Sequence, residues 1–382
     1  MLSPLALVLL ALQVPGAESP PSRAAAVEDA AGVTAIGDVH GDAKTFRALL
    51  LSIGLIDKEG RWKGGERHLV QTGDLLDRGA GSRQVLDLLM RLEREAPEAG
   101  GQVVVALGNH EAMNVYGDLR YTTPGEFAAF AAEESADLRA RRRQELLTLV
   151  KNGSPLLRSN YYRTLARYLT PTRMDVFFPP GYFAHREAFS PQGKYGQWIL
   201  KRPVLHREAR ALFLHGGLSP RFATIPLEEI DRRVKEDLLK YLETVGELER
   251  LGVFDSALGF TELLMLIGEE RRAGRVDPKL AGPFRIIDRL MDGIGFAEDG
   301  PLWYRGLAME REERIRRLVG DILKAHEVDR IVIGHTQPDN LQIEARCGKR
   351  VFLIDTGMNQ EVYQGRPSAL VLFPDGKFKI RS

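Results

Sequence analysis

The stretch 37-GDVHGD-42 directly follows the apolar run 33-VTAI-36, so two aspartates, a histidine and two glycines stand at the end of a predicted buried strand. Acidic and imidazole side chains are costly beside an apolar core unless something compensates their burial, and a metal ion is one such partner. The glycines allow the backbone to turn sharply there. The stretch therefore predicts a polar site at a strand end, whose other ligands the rest of the chain must supply.

Four further apolar runs end in comparable polar turns. These turns are 73-GDLLDRG-79, 108-GNHE-111, 215-HGG-217 and 334-GHT-336, and with 37-GDVHG-41 they hold four of the eight histidines in the chain. Taken singly, each fits an ordinary turn, a helix cap or a core histidine. Together, their imidazole, carboxylate and amide groups match the ligands of borderline divalent metals. The set therefore predicts a site for two metal ions.

Short apolar strands alternate with amphipathic helices along the chain. Asp42 is predicted to cap a helix with Phe46 and Leu50 on its apolar side, and residues 82–95 predict a second helix. This alternation predicts an α/β fold with functional side chains at the carboxyl ends of strands. The predicted strands are 33-VTAI-36, 68-HLVQT-72, 102-QVVVAL-107, 211-ALFL-214, 330-RIVI-333, 351-VFLI-354 and 369-ALVLF-373.

Two segments interrupt the alternation. Residues from about 117 to 205 show irregular helical patterns with many aromatics, and residues from about 225 to 300 are rich in Leu, Glu and Arg at helical spacing. We interpret both as helical insertions over the sheet face rather than independent domains. The aromatics of the first insertion fit either core packing or contact with an aromatic ligand.

The N-terminal residues resemble an export signal. The apolar run 4-PLALVLLAL-12 precedes small residues and helix breakers in 14-VPGAESPPS-22, with a cleavage zone near Gly16 or Ala17. The run is too short to span a bilayer, and no other segment is predicted to cross one. Because no Lys or Arg precedes the run, a disordered cytosolic tail is the alternative. We predict a signal peptide over residues 1–17 and export to the periplasm or the medium.

Composition narrows the possible functions. The 382 residues carry a formal net charge of +1, which gives no sign of nucleic-acid or membrane-surface binding. Cys347 is the only cysteine, so no intramolecular disulfide can form. No G-x-S-x-G nucleophile elbow and no P-loop occur in the sequence.

The five turns, in this order, resemble the phosphoprotein phosphatase family of calcineurin-like metallophosphoesterases. The resemblance spans about residues 33–357, and 302-LWYRG-306 with the form GHTQP is similar to the Shewanella-like phosphatase branch. It implies a four-layer α/β/β/α sandwich with two metals at the sheet edges. Residues 31–382 would then form a metallophosphoesterase catalytic domain with helical insertions.

The resemblance also implies roles for the motif residues. Two metal ions, of manganese, iron or zinc, would acidify a bridging water to hydroxide and hold the phosphoryl oxygens for in-line attack. The implied metal ligands are Asp38 and His40 for the first ion, Asp74 for both, and Asn109, His215 and His335 for the second.

A second group of residues would handle the proton and the phosphate. His110 is the implied general acid and Asp77 the carboxylate that orients it. Arg78, Asn109 and Arg305 would bind the substrate phosphate. A cysteine-based phosphatase is excluded, because the arginine it needs six positions after Cys347 is replaced by Leu353. The remaining histidines fit no motif and are expected to be structural or exposed: His68, His185, His206 and His326.

Two departures bear on specificity. The eukaryotic branch has an arginine before GNHE, whereas this chain has Leu107, and 352-FLIDTGM-358 replaces the eukaryotic SAPNYC-type segment. Both put serine/threonine protein specificity in doubt.

We therefore expect a metal-dependent phosphomonoesterase acting on phosphorylated protein or peptide, at Ser/Thr and/or Tyr. A diadenosine-polyphosphate or nucleotide hydrolase is one alternative, because the same ligands suit pyrophosphate cleavage. A non-catalytic phosphoprotein-binding module is another, although it gives no reason to keep the Asp77–His110 pair. The sequence indicates no nucleic-acid partner and no transmembrane segment, and it leaves the oligomeric state open.

Overall fold

The computed structural model describes residues 32–151, 160–274 and 276–382, so the predicted signal peptide at residues 1–17 lies outside the described residues. Among the described helices, none is both long and apolar enough to cross a membrane. The strands are β1 (Val33–Ile36), β2 (His68–Gln71), β3 (Gln102–Val105), β4 (Leu205–Glu208), β5 (Ala211–Leu214), β6 (Arg330–Ile333), β7 (Glu344–Arg346), β8 (Val351–Leu353), β9 (Ala369–Leu372) and β10 (Phe378–Arg381).

The helices surround these strands in chain order. They are α1 (Ala43–Ser52), α2 (Ser82–Glu98), α3 (Asn109–Tyr116), α4 (Pro124–Ala128), α5 (Ala136–Lys151), α6 (Asn160–Tyr168), α7 (Tyr182–Phe189), α8 (Lys194–Ile199), α9 (Leu227–Arg250), α10 (Phe260–Arg272), α11 (Pro278–Met291), α12 (Gly306–Met309) and α13 (Glu312–Ala325), with a short 3₁₀ helix at Met174–Val176.

The strands form two mixed five-stranded sheets. The first has the order β10-β9-β1-β2-β3, in which β1, β2 and β3 are parallel and β9 runs antiparallel to β1. The second has the order β4-β5-β6-β8-β7, in which β5, β6 and β8 are parallel. Because the parallel strands of one sheet end at the same edge, the turns after them are brought together.

Alternating residues of the strands pack the two sheets against each other. In β1, Val33 and Ala35 belong to the apolar cluster between the sheets, and Phe213 and Phe352 of the second sheet belong to the same cluster. Ile36 of β1 lies in the larger cluster on the outer faces, which the helices cover. The period of two places successive side chains on opposite faces. The predicted four-layer α/β/β/α sandwich is confirmed.

All seven predicted strands are present, and Asp42 caps α1 through a bond from the Thr45 N–H to Asp42 Oδ1 of 2.9 Å. Three strands are outside the predicted set, β4, β7 and β10. All three lie at a sheet edge and carry charged residues that are exposed or half-exposed, as in LHRE, EAR and FKIR. Charged residues on an edge strand prevent it from pairing with another chain. The same charges interrupt the apolar pattern by which a strand is recognised in the sequence.

Helices occupy both predicted insertions, and most of their aromatics pack in a common core. Tyr162 Oη donates to Val253 O at 2.6 Å and Tyr182 Oη donates to Ala257 O at 2.7 Å, so the first insertion is hydrogen-bonded to the second. Both tyrosines are buried. The core-packing interpretation therefore holds for these rings, while Tyr121 is 42% exposed beside the motif residues.

A histidine lies inside the aromatic core of the first insertion. The His185 ring stacks on Phe189 at 4.4 Å and meets Phe127 and Phe130 edge-on. Its Nδ1 has no hydrogen-bond partner among the described residues. Burial, with the charge of Arg186 beside it, lowers the pKa of His185 well below its ordinary value of 6.5.

We predict that His185 makes the insertion acid-sensitive. Below pH 6.5 the unfolded chain binds a proton at His185 that the folded chain does not bind, so stability is full above this pH and falls as the pH decreases. Between pH 7.5 and 5.5 the wild type should lose about 1.4 kcal/mol more unfolding free energy than His185→Leu. Urea unfolding of both proteins at both pH values measures this difference, and equal losses would contradict the prediction.

Candidate metal centre

The five motif turns meet at one place between the two sheets. Asp38 and His40 follow β1, Asp74 follows β2, and Asn109 and His110 begin the helix after β3, while His215 and His335 follow β5 and β6. All seven side chains are buried. The backbone is left-handed at several motif residues, a conformation that non-glycine residues avoid and that recurs at functional sites. These residues are His40, Asp74, Asp77, Arg78 and His335.

The Asp74 carboxylate lies at the centre of the site. Its Oδ1 is 3.2 Å from His215 Nε2, and its Oδ2 is 3.7 Å from both His40 Nε2 and His110 Nε2. Two groups of ligand atoms, each within 4.8 Å of one another, share this residue: His40, Asp74 and His110 on one side, and Asp74, His215 and His335 on the other. Asp74 thus has one oxygen toward each group, as a bridging carboxylate requires.

Backbone carbonyls orient three histidine rings of the site. His40 Nδ1 lies 3.0 Å from Leu76 O, His215 Nδ1 lies 2.9 Å from Thr72 O, and His335 Nε2 lies 3.1 Å from Trp303 O. A neutral ring that donates to a carbonyl turns its other nitrogen, with a lone pair, toward the centre. Burial lowers the pKa of His40 and of His335 well below the usual range, so both favour the neutral, metal-binding form.

The ligand atoms of the second group face each other closely. His215 Nε2 is 2.8 Å from Asn109 Oδ1 and 3.1 Å from His335 Nδ1. Because His215 Nδ1 donates its proton to Thr72 O, His215 Nε2 is an acceptor. Three acceptor atoms then face one another with no proton between them: His215 Nε2, Asn109 Oδ1 and His335 Nδ1. A cation relieves this repulsion, so these residues fit a divalent metal, and the buried nitrogen and oxygen donors suit manganese, iron or zinc.

Asp38 faces a second buried carboxyl group, that of Asp355. Asp38 Oδ2 is 3.8 Å from His40 Nε2, and Oδ1 accepts the His335 N–H at 3.0 Å. Asp355 hydrogen-bonds Asp38, and burial raises the pKa of Asp355 to about 6 and that of Asp38 well above its usual range. The pair therefore needs a shared proton or a cation.

Asp355 was not predicted as a site residue, although the sequence contains its signal. It follows the apolar run 351-VFLI-354, as the five recognised motifs follow theirs. Glu111 of the GNHE motif likewise received no role. Its carboxylate accepts the N–H groups of Gly108, Asp74 and Leu75 at 3.0, 2.8 and 2.8 Å, which fixes the turn that carries Asp74.

His110 and Asp77 form the expected pair. Asp77 Oδ2 is 2.6 Å from His110 Nδ1, and both residues are almost fully buried. Burial opposes protonation of His110, but the charges of Asp74 and Asp77 outweigh it and raise the pKa of this histidine above 6.5. The ring thus holds its proton more firmly than a free histidine does and directs Nε2 toward the Asp74 side of the site, as a general acid requires.

The predicted phosphate-binding arginines lie beside the two groups. Arg78 contacts the His40 ring, and its guanidinium lies 5.1 Å from the centre of the Tyr121 ring and 5.7 Å from that of Tyr363. Arg305 Nη1 donates to His335 O at 2.6 Å and to Thr336 Oγ1 at 3.1 Å.

The four other histidines lie outside the site, as expected. His68 and His206 contact Glu208, His326 Nε2 lies 3.0 Å from Ala223 O, and His185 is in the aromatic core.

Comparison with known proteins agrees with this architecture. Residues 32–339 match the family model described as calcineurin-like phosphoesterase. Shewanella-like protein phosphatase 2 of Arabidopsis thaliana is 33% identical over 91% of this chain and 76% of its own length. Shewanella-like protein phosphatase 1 of Plasmodium berghei is 22% identical over 88% of this chain and 69% of its own length.

A solved structure shows the same fold. The cold-active protein-tyrosine phosphatase of a psychrophilic Shewanella species superposes with a TM-score of 0.55 at 22% identity, over 92% of this chain and 80% of that chain. The family model covers most of the chain, and the Arabidopsis relative exceeds 30% identity over nearly all of it. The chain therefore belongs to the calcineurin-like phosphoesterase family.

Proposed function

We propose that the chain is a metal-dependent phosphomonoesterase that hydrolyses phosphorylated proteins or peptides. The observation that carries the proposal is the Asp74 carboxylate, which is shared between two groups of ligand atoms and lies 3.7 Å, from Oδ2 to Nε2, from His110, a histidine whose pKa is raised. The relatives named as protein phosphatases support a phosphoprotein substrate.

The side chains of the site have separate roles in the proposed reaction. Metal ions bound by these residues would acidify water and neutralise phosphoryl oxygens. Arg78 offers a planar guanidinium for two phosphate oxygens. His110, held by Asp77, donates its Nε2 proton to the oxygen of the departing serine, threonine or tyrosine. No covalent enzyme intermediate is needed, so no nucleophilic side chain is required.

The entrance to the site favours an aromatic phosphate ester. The Tyr121 ring contacts the His110 ring at 5.1 Å and the Tyr363 ring contacts the His40 ring at 5.9 Å, so both tyrosines lie beside Arg78. Burial raises the pKa of Tyr363 to about 12, so its ring stays neutral. A phosphotyrosine ring can pack against such rings while its phosphate reaches the arginine. Phosphoserine and phosphothreonine lack this contact and are the weaker expected substrates.

A substrate panel with a His110→Asn variant tests the activity. The wild type reconstituted with manganese, iron or zinc should hydrolyse phosphotyrosine peptides, and more slowly phosphoserine peptides. Loss of the general acid should lower kcat on these peptides by about 10² to 10⁴. His206→Asn, which changes a histidine outside the site, is the matched control and should keep full activity.

Three other results of this substrate panel would change the proposed mechanism or function. Activity that is unchanged in His110→Asn would remove the proposed acid. Hydrolysis of diadenosine tetraphosphate alone would transfer the assignment to a dinucleotide hydrolase. Peptide binding without turnover, with full metal loading, would indicate a phosphoprotein-binding module.

We further propose export of the mature enzyme to the periplasm or the medium, on the basis of the apolar run at residues 4–12. Protein recovered from these compartments should have lost residues 1–17, within a residue or two, by intact-mass measurement. A variant with Leu7 and Leu9 changed to Arg should stay in the cell, because charge in the apolar run blocks translocation. Recovery of exported protein that retains residues 1–16 would contradict the proposal.

A further inference from the structure

The turn that carries Asp77 and Arg78 is held by a segment outside all five motifs. This segment, residues 121–126, lies near the start of the first insertion and is called here the cap arm. The Arg78 N–H donates to Tyr121 O at 3.0 Å, and the Asp77 N–H donates to Glu126 Oε1 at 2.9 Å. Since the backbone at Asp77 and Arg78 is left-handed, these bonds stabilise a strained conformation.

The cap arm also binds the Asp77 side chain. Asp77 Oδ2 faces His110. The orientation of this carboxylate therefore depends on the donors that bind its other oxygen, Oδ1. Thr122 Oγ1 donates to Oδ1 at 2.8 Å, and Asn114 Nδ2 donates to it at 3.1 Å. Asn114 comes from α3, the helix that carries His110, whereas Thr122 comes from the cap arm. Two donors on Oδ1 fix the plane of the carboxylate.

On the basis of the proposed function, we propose that Thr122 is a positioning residue for proton donation. Its hydroxyl holds Asp77 Oδ1, which keeps Oδ2 on His110 Nδ1 and thereby directs His110 Nε2 to the leaving oxygen. The proton passes from Nε2 to the oxygen of the departing alcohol or phenol as its bond to phosphorus breaks, and His110 then recovers a proton from water. The first insertion thus takes part in acid catalysis as well as covering the site.

The chain offers a matched control for this role. Thr123 is next to Thr122 and similarly half-buried, but its hydroxyl has no hydrogen-bond partner among the described residues. Replacement of either threonine by valine removes one hydroxyl at constant shape. Only the change at Thr122 removes a donor to Asp77.

The experiment compares two aryl phosphates that differ in their need for an acid. The p-nitrophenolate leaving group departs readily without a proton, whereas phenolate needs one. Thr122→Val should lower kcat on phenyl phosphate about tenfold, as expected for a lost bond to a charged group, and change kcat on p-nitrophenyl phosphate by less than about threefold. KM should change little, Thr122→Ser should restore activity, and Thr123→Val should match the wild type on both esters.

A spectroscopic measurement separates positioning from folding. The bonded Nδ1 proton of His110 should give a downfield proton resonance in zinc-loaded wild type, assigned by its loss in His110→Asn. This resonance should shift or broaden in Thr122→Val and persist in Thr123→Val.

The positioning role and the proposed function would be overturned by different results. Equal losses of Thr122→Val on both esters, or no loss on either, would reject the positioning role while leaving the proposed function in place. A metal-loaded wild type that turns over neither ester would reject the proposed function itself.

Discussion

The structure depends on the burial of one carboxylate, Asp74, between two histidine-lined groups of ligand atoms. Burial alone would raise its pKa, but the interactions of the carboxylate with His215 and His110 lower the pKa well below its usual range, so the group stays ionised. Its peptide N–H donates to Glu111, and its Oδ1 accepts the His110 N–H at 3.1 Å. An ionised, fully surrounded carboxylate requires compensating positive charge. Metal ions held by these residues would provide that charge, and the turns around Asp74 hold the ligands in place.

Glycines in the motif turns let neighbouring turns approach each other closely enough to hold the ligand residues in place. A Cβ on Gly108 would lie 2.3 Å from Asp74 N, and a Cβ on Gly334 would lie 2.4 Å from Asp38 Oδ1. Neither glycine has a positive φ, so what it provides is space for a neighbouring ligand residue. At Gly41, where φ is 68°, the left-handed turn and the close approach to Gly79 coincide. The motif glycines and the acidic residues are therefore parts of one packing arrangement.

Much of this architecture could be predicted from the sequence, because the core strands are apolar runs and each of the five motifs follows one. The edge strands β4, β7 and β10 could not, because their charged residues hide the strand pattern. Asp355 carries the same strand-end signal but forms its pair with Asp38 across the gap between two sheets. No sequence motif marks Thr122 and Glu126, because their role depends on hydrogen bonds between the first insertion and Asp77. Local patterns thus locate ligands, whereas contacts between distant segments must be seen in three dimensions.

Metal content measured on the purified chain and on Asp74→Asn tests the central claim most directly. A shared carboxylate predicts about two ions per chain for the wild type. At the metal concentration that saturates the wild type, Asp74→Asn should bind fewer than about one, because both groups of ligands lose charge. Asp42→Asn changes the helix cap in the same motif and should still bind about two. Full loading of Asp74→Asn, or a wild type that binds only one ion, would contradict the bridging role.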